Sequence, residues 1–552
     1  MKKILTFFCV AVFSAVTFNL GAQSVFEVQP TFNGTPYGAF NAQVMGDTLP
    51  DGSRKDPNRI YKLQRDATYY LSGRINANFD LRLTADPADA THKPPVIASG
   101  VSPAGDVVGH LFVLGGNAVF ENIAFNSVYP TNAGDGWLGI QMVKDGATII
   151  YDNCIFTGSH WLSMGAWAKD MKVSVTNCKF RNVHNATAVW NGRGLTFQDN
   201  NVDTLIMVNN TFFNMNSFAL QGQNCTMNYA HFENNTLVNS VKWPIQWEYQ
   251  TNAVFNNNIF YNIHSFGEGP SERNGQDIDA GIFGIFNLFP LTSELMDSTS
   301  YTEESREVKL ENNDWFFSQA IKDYWTENDT IDGEPFMNTR TQNMFDNSTL
   351  LVESNTMNMD PQFDNAGEDN NWSTVGALVS WMEAIRDTNA TPISAYWGYD
   401  PDGNRFLLDW PLPENLHYNN ATLAAAGTNG CPIGDLNWFP EKKAECTPDV
   451  GIQPPPLGLA ETIVSVGLSV EQNMPNPFKG QTTIAYSLDE PSNVTVSIID
   501  INGRLITTLV NEKQPQGRHT IDWNAGNQAT GVYFYQIKTD KALITRKLEL
   551  VK

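Results

Sequence analysis

Short runs of alternating apolar and polar residues recur along the middle of the chain, and each run surrounds one or two asparagines. Such alternation is typical of half-buried β-strands. Helices are disfavoured, because asparagine, aromatic and β-branched residues are poor helix formers. The runs therefore predict a repeating array of strands. The seven runs are residues 120–125, 151–156, 175–180, 208–212, 232–237, 255–260 and 310–315.

The spacing of the runs predicts a solenoid. Alignment on Asn122, Asn153, Asn177, Asn210, Asn235, Asn258 and Asn313 gives steps of 31, 24, 33, 25, 23 and 55 residues. Steps of about 20 to 35 residues between β-type runs indicate one coil per repeat. The last step leaves room for two coils or for one large insertion, and residues 265–307 interrupt the pattern there.

The asparagines have two physical roles in such a solenoid. Asparagine tolerates the left-handed backbone conformation that a sharp turn between strands needs. Stacked coils lie about 4.8 Å apart, so equivalent side-chain amides can form a hydrogen-bonded ladder. We expect a matching stack of phenylalanines inside the core. Its members are Phe125, Phe156, Phe180, Phe212 and Phe260.

The rungs resemble those of the right-handed parallel β-helix of the pectate-lyase-like superfamily, over roughly residues 60–363. The resemblance implies a long parallel sheet whose outward side chains form a shallow groove, which binds a polysaccharide in enzymes of this fold. A shared fold does not carry an activity. Residues 23–58 are expected to cap the first coil, and residues 316–446 to cap the last with long loops laid along the solenoid.

A smaller module is expected to follow a proline-containing linker. Six strand-like runs, residues 483–488, 494–500, 505–510, 519–523, 532–538 and 542–551, predict a small β-sandwich. Residues 472–478 (QNMPNPF), 499–504 (IDINGR) and 531–535 (GVYFY) resemble the type A sorting domain of the type IX secretion system. That resemblance implies a bacterium with an outer membrane, Sec export, and then passage across the outer membrane with the secretion machinery as a partner.

The chain is thus expected to be all-β, a right-handed parallel β-helix followed by a β-sandwich. Its parts are a signal peptide (1–22), the β-helix with its caps (23–446), the linker (447–460) and the sorting domain (461–552). The signal peptide has a basic start and an apolar run too short to span a membrane. We expect a monomer without a transmembrane segment, located outside the cell or on the outer-membrane surface of a Gram-negative bacterium.

The charge and the cysteines limit the partners and the cross-links. The formal net charge of −24 argues against nucleic acid as a partner, although a local basic cleft could bind an acidic polysaccharide. Cys431 and Cys446 could form a disulfide. Cys154 and Cys178 occupy equivalent rung positions, so they could either bond or stack as buried apolar residues.

Tryptophans near the rungs are the candidate sugar-binding residues, because flat aromatic faces stack on sugar rings. The alternative is that they pack in the core or anchor loops. They are Trp161, Trp167, Trp190, Trp243 and Trp247.

The candidate catalytic residues are Arg193, Lys242 and Glu248. The resemblance implies that a lyase would use calcium-bound carboxylates to acidify the C5 proton of a uronate, which an arginine or lysine then removes. Asp199 and Asp203 are the candidate calcium ligands, with Arg193 as the base. The alternative is a solvated turn rich in aspartate and asparagine.

We therefore expect a secreted or surface protein that binds or degrades a polysaccharide, and if it is an enzyme, a polysaccharide lyase or glycoside hydrolase. The alternative is a non-catalytic adhesin or surface structural protein, since the sequence contains no complete catalytic motif. An exposed groove with a base beside carboxylates favours the enzyme, and tryptophans buried inside the coils favour the adhesin.

Overall fold

The computed structural model describes residues 24–129, 136–185, 188–222, 225–247, 249–267, 284–298, 301–328, 330, 336–364, 373–386, 397–400, 404–452, 468–470, 473–488, 490–500, 505–526, 528–539 and 543–551. The chain divides into two compact units, Met1–Pro455 and Pro456–Lys552. The boundary falls within the predicted linker. The predicted signal peptide lies outside the described residues.

Short strands dominate the first unit. They are β1 (Val25–Glu27), β2 (Ile60–Leu63), β3 (Thr68–Tyr70), β4 (Ile75–Ala77), β5 (Leu81–Ala85), β6 (Val96–Ala98), β7 (His110–Leu114), β8 (Ala118–Glu121), β9 (Ala124–Asn126), β10 (Leu138–Met142), β11 (Thr148–Asp152), β12 (Ile155–Thr157), β13 (Leu162–Ala166), β14 (Met171–Thr176), β15 (Lys179–Val183), β16 (Arg193–Thr196), β17 (Val202–Val208), β18 (Thr211–Met215), β19 (Leu220–Gln221), β20 (Met227–Glu233), β21 (Thr236–Ser240), β22 (Ile245–Gln246), β23 (Asn252–Asn256), β24 (Ile259–Tyr261), β25 (Glu307–Glu311), β26 (Asp314–Phe316) and β27 (Leu351–Ser354).

Strands of successive coils pair in parallel, and in the described residues they form sheets of eleven, nine and seven strands. The eleven-stranded sheet has the order β1-β2-β5-β8-β11-β14-β17-β20-β23-β25-β27. The nine-stranded sheet runs β26-β24-β21-β18-β15-β12-β9-β6-β3, and the seven-stranded sheet runs β22-β19-β16-β13-β10-β7-β4. Each central coil contributes one strand to each sheet, so the predicted parallel β-helix is confirmed.

Two neighbouring columns of asparagine, not one, follow the turn between the eleven- and nine-stranded sheets. The first column has positive φ throughout and contains Asn122, Asn153, Asn177, Asn209, Asn234, Asn257, Asn312 and Asn355. In the second column, Asn210, Asn235, Asn258 and Asn313 bond amide to amide at 2.9–3.1 Å. The predicted alignment is therefore wrong by one residue from Asn210 onward, because it took the second asparagine of each pair.

The phenylalanine stack is confirmed inside the coils. The ring centroids of Phe125, Phe156, Phe180 and Phe212 are separated by 5.1, 4.8 and 4.7 Å in succession. Phe260 lies in the same column, one coil beyond Leu237. The core is thus a set of side-chain columns that run along the solenoid axis.

The 55-residue step is an insertion and not a second coil. β23 pairs directly with β25, and Asn312 Nδ2 donates to Asn257 Oδ1 at 3.1 Å. The helices are α1 (Ser293–Ser298) in this insertion, then α2 (Gln319–Glu327), α3 (Thr339–Asp346), α4 (Ser373–Arg386) and α5 (Pro440–Cys446). Shorter turns are a π-helix (Asn41–Met45) and 3-10 helices Leu423–Ala425, Thr428–Gly430 and Leu436–Trp438. Among the described residues, no helix is long and apolar enough to cross a bilayer.

Residues 397–400 and 404–446, here called the belt, cover the outer face of the nine-stranded sheet. Arg181 projects from β15 into this interface, where it is buried. Its Nε and Nη2 donate to the two carboxylate oxygens of Glu414 at 2.9 and 3.1 Å. Outward-facing Phe213 and Tyr261 pack in one apolar cluster with Tyr418 of the belt. The loops predicted to lie along the solenoid therefore occupy one particular face.

The cysteines follow one of the alternatives left open. Cys431 and Cys446 form a disulfide at the end of the belt, with their Cα atoms 5.8 Å apart. Cys154 and Cys178 are buried free thiols that stack on adjacent coils, with the Cys154 amide donating to Cys178 Sγ at 3.4 Å.

The second unit is a β-sandwich with two antiparallel sheets. Its strands are β28 (Leu468–Val470), β29 (Gln481–Leu488), β30 (Ser492–Asp500), β31 (Leu505–Gln514), β32 (Gly517–Asn524), β33 (Gly531–Lys538) and β34 (Leu543–Leu550). The orders are β28-β29-β32 and β31-β30-β33-β34. Both sheets bury apolar side chains in one shared core. All six predicted strands are confirmed, and β28 is an additional edge strand.

Candidate functional site

Four of the predicted site residues lie on or beside the outer face of the seven-stranded sheet, namely Arg193, Trp161, Trp167 and Trp190. Alternate side chains of a strand point to opposite faces of its sheet. Ile140 and Met164 belong to the core, so their neighbours Gln141 and Gly165 point outward. The outward column continues through Thr196, Gln221 and Gln246 on the following coils.

Hydrogen bonds join the polar members of this outward column. Gln221 Nε2 donates to Gln246 Oε1 at 2.6 Å, and Thr196 Oγ1 donates to Gln221 Oε1 at 3.3 Å. Arg193 Nη1 donates to the same Gln221 oxygen at 2.8 Å, while its Nε donates to the Trp190 carbonyl at 2.7 Å. These contacts hold the guanidinium in one orientation at the edge of the face. Burial lowers the pKa of Arg193 from its ordinary value.

Three tryptophans, Trp137, Trp161 and Trp167, form a continuous surface that we call the tryptophan strip. The ring centroids of Trp137 and Trp161 are 5.0 Å apart, and those of Trp161 and Trp167 are 5.8 Å apart. Trp137 is 49% exposed, and the other two are half-buried. The Trp167 ring folds over Gly165, where a Cβ would come within 2.4 Å of it. The strip therefore depends on a residue without a side chain beneath it.

A second aromatic group, which contains Trp190, lies beside the strip. The backbone amides of Gly192 and Arg193 donate to the Trp161 carbonyl and hold this segment against the strip. Trp190 is 43% exposed and packs 5.4 Å from Trp243 and 6.2 Å from Phe218, measured between ring centroids. The exposed ring of Trp190 thus extends the aromatic surface toward the C-terminal coils.

Three of the predicted site residues are buried and do not line this surface, namely Lys242, Trp243, which is 6% exposed, and Trp247. Lys242 is 1% exposed, and its ammonium lies 4.7 Å from the ring of Trp190 and 4.9 Å from that of Phe266. These contacts cover the ammonium, which removes Lys242 as a base open to substrate. Trp247 is 1% exposed and packs against Phe255 inside the coil. It is a core residue, which corrects the expectation that it binds a sugar.

The two predicted calcium ligands lie away from the candidate base. Asp203 is on β17 in the eleven-stranded sheet, whereas Arg193 begins β16 in the seven-stranded sheet. The Asp203 carboxylate pairs with Lys172 at 3.6 Å and accepts from Asn228 at 3.4 Å. Asp199 is exposed in the intervening turn. No three metal-binding side chains converge anywhere in the described ranges, and Glu248 lies outside them.

Three residues of the face, Trp137, Gln221 and Gln246, were not predicted from the sequence. Trp137 immediately precedes the strand residue Leu138, as Trp161 precedes Leu162, so this shared tryptophan–leucine pattern was the available signal. Gln221 and Gln246 were missed because no tandem pattern distinguishes outward glutamines from ordinary polar strand residues.

Comparison with known proteins identifies the second unit. Residues 474–551 match the family model of the secretion system C-terminal sorting domain. No curated protein sequence and no solved structure matches the chain. The chain is therefore a parallel β-helix protein that carries a type IX sorting domain, and that domain directs its secretion and export to the cell surface.

Proposed function

We propose that the β-helix binds a polysaccharide along the outer face of the seven-stranded sheet. The observation that carries this proposal is the tryptophan strip, with Trp137 49% exposed on a face whose neighbouring side chains are amides and hydroxyls. Exposed contiguous apolar surface of this kind marks a binding site. Flat rings suit the apolar faces of sugars, and the amides suit their hydroxyls.

Arg193 favours an acidic sugar as the recognised unit. Its guanidinium lies at the edge of the same face. Arginine binds carboxylates in a bidentate geometry. As an extension of the proposal, the chain is a polysaccharide lyase with Arg193 as the base. The other enzymatic class, a glycoside hydrolase, requires two carboxyl groups about 5 to 9.5 Å apart.

A non-catalytic adhesin is the second candidate, and specific contacts favour it. Lys242 is covered by aromatic rings, and Asp203 is paired with Lys172 on a different sheet from Arg193. In either case we place the mature, monomeric protein outside the cell or on the outer-membrane surface. Polysaccharide binding is common to both candidates.

Affinity electrophoresis of the mature chain through gels that contain neutral or uronate polysaccharides tests the binding proposal. We expect retardation in a uronate gel, and loss of retardation in a Trp137→Ala/Trp161→Ala double variant. Tyr37→Ala is the matched control, because Tyr37 is a 42% exposed aromatic residue in the N-terminal segment. Equal retardation of the double variant and the wild type would contradict the proposal.

A second assay separates the enzyme from the adhesin. The absorbance of unsaturated products is followed during incubation with the same uronate polymers, with and without calcium. Product formation that Arg193→Gln abolishes supports the lyase, because glutamine cannot act as the base. Retardation in the gels without any product supports the adhesin.

A further inference from the structure

The outer face of the eleven-stranded sheet carries a hydrogen-bonded series of titratable side chains that the proposed function does not use. Tyr229, His231 and Glu233 alternate on β20 with the core residues Ala230 and Phe232, so all three point outward. Tyr229 Oη lies 2.9 Å from His231 Nδ1, and His231 Nε2 lies 2.5 Å from Glu233 Oε2.

One arrangement of protons satisfies both contacts with a neutral imidazole. An ionised carboxylate only accepts hydrogen bonds, so His231 Nε2 carries a proton toward Glu233. In the neutral imidazole, Nδ1 is then a lone pair that accepts the hydroxyl proton of Tyr229. Asn257 Nδ2 donates to the other oxygen of Glu233 at 2.7 Å, which fixes the carboxylate.

Exposure falls along the series from the phenol to the carboxylate. Tyr229 is partly exposed, whereas His231 and Glu233 are 7% and 6% exposed. A reactive hydroxyl open to solvent, a base behind it and a buried acid that orients the base is the arrangement of an activated nucleophile. A hydrogen-bonded ladder with only a structural role would not need its exposure to fall from the phenol to the carboxylate.

We propose that Tyr229, His231 and Glu233 form an acyl-transfer site that acts on esters. The Tyr229 oxygen attacks the ester carbonyl carbon while its proton passes to His231 Nδ1. The carbon–oxygen bond to the alcohol breaks, and the alcohol leaves with that proton, so that the acyl group remains on Tyr229. Water then attacks this aryl ester and gives its proton to His231, which returns it to the phenol oxygen as the free acid leaves.

The environment of the phenol agrees with activation by a base. Burial, reinforced by the charge of Glu233, raises the pKa of Tyr229, so the phenol does not ionise on its own near neutral pH. The charge of Lys309 on β25 lowers the pKa of Tyr229. In the sheet, Lys309 pairs with Val254, which pairs with His231, so Lys309 lies two strands from His231. Its ammonium is paired with Glu307 of the same strand at 3.0 Å.

Acylation of the full mature chain by p-nitrophenyl acetate tests this proposal without reference to any polysaccharide. Peptide mass mapping after a short reaction and a denaturing quench gives the acetylated fraction of each tyrosine, and release of p-nitrophenol gives the turnover, so the two together give the acylation rate. We expect Tyr229 to react at least about 100-fold faster than Tyr37, which matches the usual size of general-base assistance. Equal rates at Tyr229 and Tyr37 in the wild-type chain would be enough to overturn the proposal.

Two variants separate activation from mere accessibility. His231→Gln retains a hydrogen-bonding side chain but removes the base, so the rate at Tyr229 should fall to that of Tyr37. Glu233→Gln should give an intermediate rate, because the imidazole remains but loses its charged partner. An unchanged Tyr229 rate in a folded His231→Gln variant, as judged by circular dichroism, would also overturn the proposal.

Discussion

The outer faces of the nine- and seven-stranded sheets belong to the same coils, but the first is covered and the second is exposed. The nine-stranded face is covered by the belt, with outward Phe213 and Tyr261 packed against Tyr418 and the Arg181–Glu414 pair enclosed. The seven-stranded face leaves Trp137 49% exposed beside a polar column. A solenoid repeats its faces, so any difference between them must come from side chains and added segments. Covered aromatic residues stabilise the fold, and uncovered ones mark a binding surface.

Removal of the buried charge under the belt should give the largest effect. Glu414→Ala removes the bidentate partner of the buried Arg181 and leaves Asp400, at 3.5 Å, as a remaining ion-pair partner, so the cost should be at most about 5 kcal/mol. We expect a lower melting temperature of the first unit in calorimetry. Lys172→Ala is the control, because its pair with Asp203 is exposed and contributes less than about 1 kcal/mol. Equal effects of the two substitutions would remove the contrast between the faces.

The covered face should also make stability depend on pH through Asp314. Burial raises the pKa of this carboxyl to about 7, from an ordinary value of 3.8. The folded state then holds one more proton than the unfolded state between about pH 4 and 7. The unfolding free energy should therefore fall as pH rises through this window, by up to about 4 kcal/mol, and remain flat above it.

Asp314→Asn provides the check on that pH dependence. The variant cannot titrate at this position, so its melting temperature should lose the downward slope between pH 4 and 7. A wild-type chain whose melting temperature is constant over this range would show that the carboxyl is not protonated under the belt.

A single methyl group on the open face should weaken binding. The added Cβ of Gly165→Ala would lie 2.4 Å from the Trp167 ring and displace it. Loss of one aromatic contact is worth about 0.5–1.5 kcal/mol, so polysaccharide affinity should fall roughly 2- to 10-fold. The same Cβ would lie 2.8 Å from Cδ1 of the buried Leu162, so the melting temperature should also fall. A large loss of stability with intact binding would reverse the assignment of this face.

Chelation should have the smallest effect. The Asp203 carboxylate already pairs with Lys172 and accepts a hydrogen bond from Asn228. Removal of calcium should therefore leave these contacts unchanged. We expect the same melting temperature with calcium and with a chelator. A clear rise with calcium would indicate a site that involves other carboxylates.

The architecture could be predicted from the sequence because its signals are local and repeated. Phe125, Phe156 and Phe180 recur at coil spacing, and the motifs of residues 472–478 and 531–535 identify the sorting domain. The predicted asparagine alignment was wrong by one residue from Asn210 onward, for a physical reason. Paired asparagines, such as Asn209 and Asn210, offer two registers with the same composition, and only the backbone conformation distinguishes the left-handed position.

The site was less predictable, because the exposure of a tryptophan is a property of tertiary structure. Trp161 and Trp247 look alike in sequence, since each adjoins a strand of the seven-stranded sheet. One precedes its strand and turns outward, whereas the other follows it and enters the core. Arg181 was missed for a related reason, because its partner Glu414 is 233 residues away.

Oxidative footprinting of the tryptophans, with and without bound polysaccharide, tests the contrast between the two faces most directly. The account predicts protection of Trp137, Trp161 and Trp190 on the open face when the polymer is bound. It predicts no change at Trp438, which is half-buried in the belt. Protection of Trp438 with unchanged oxidation of Trp137 and Trp161 would contradict the account, because the polymer would then lie on the covered side of the solenoid.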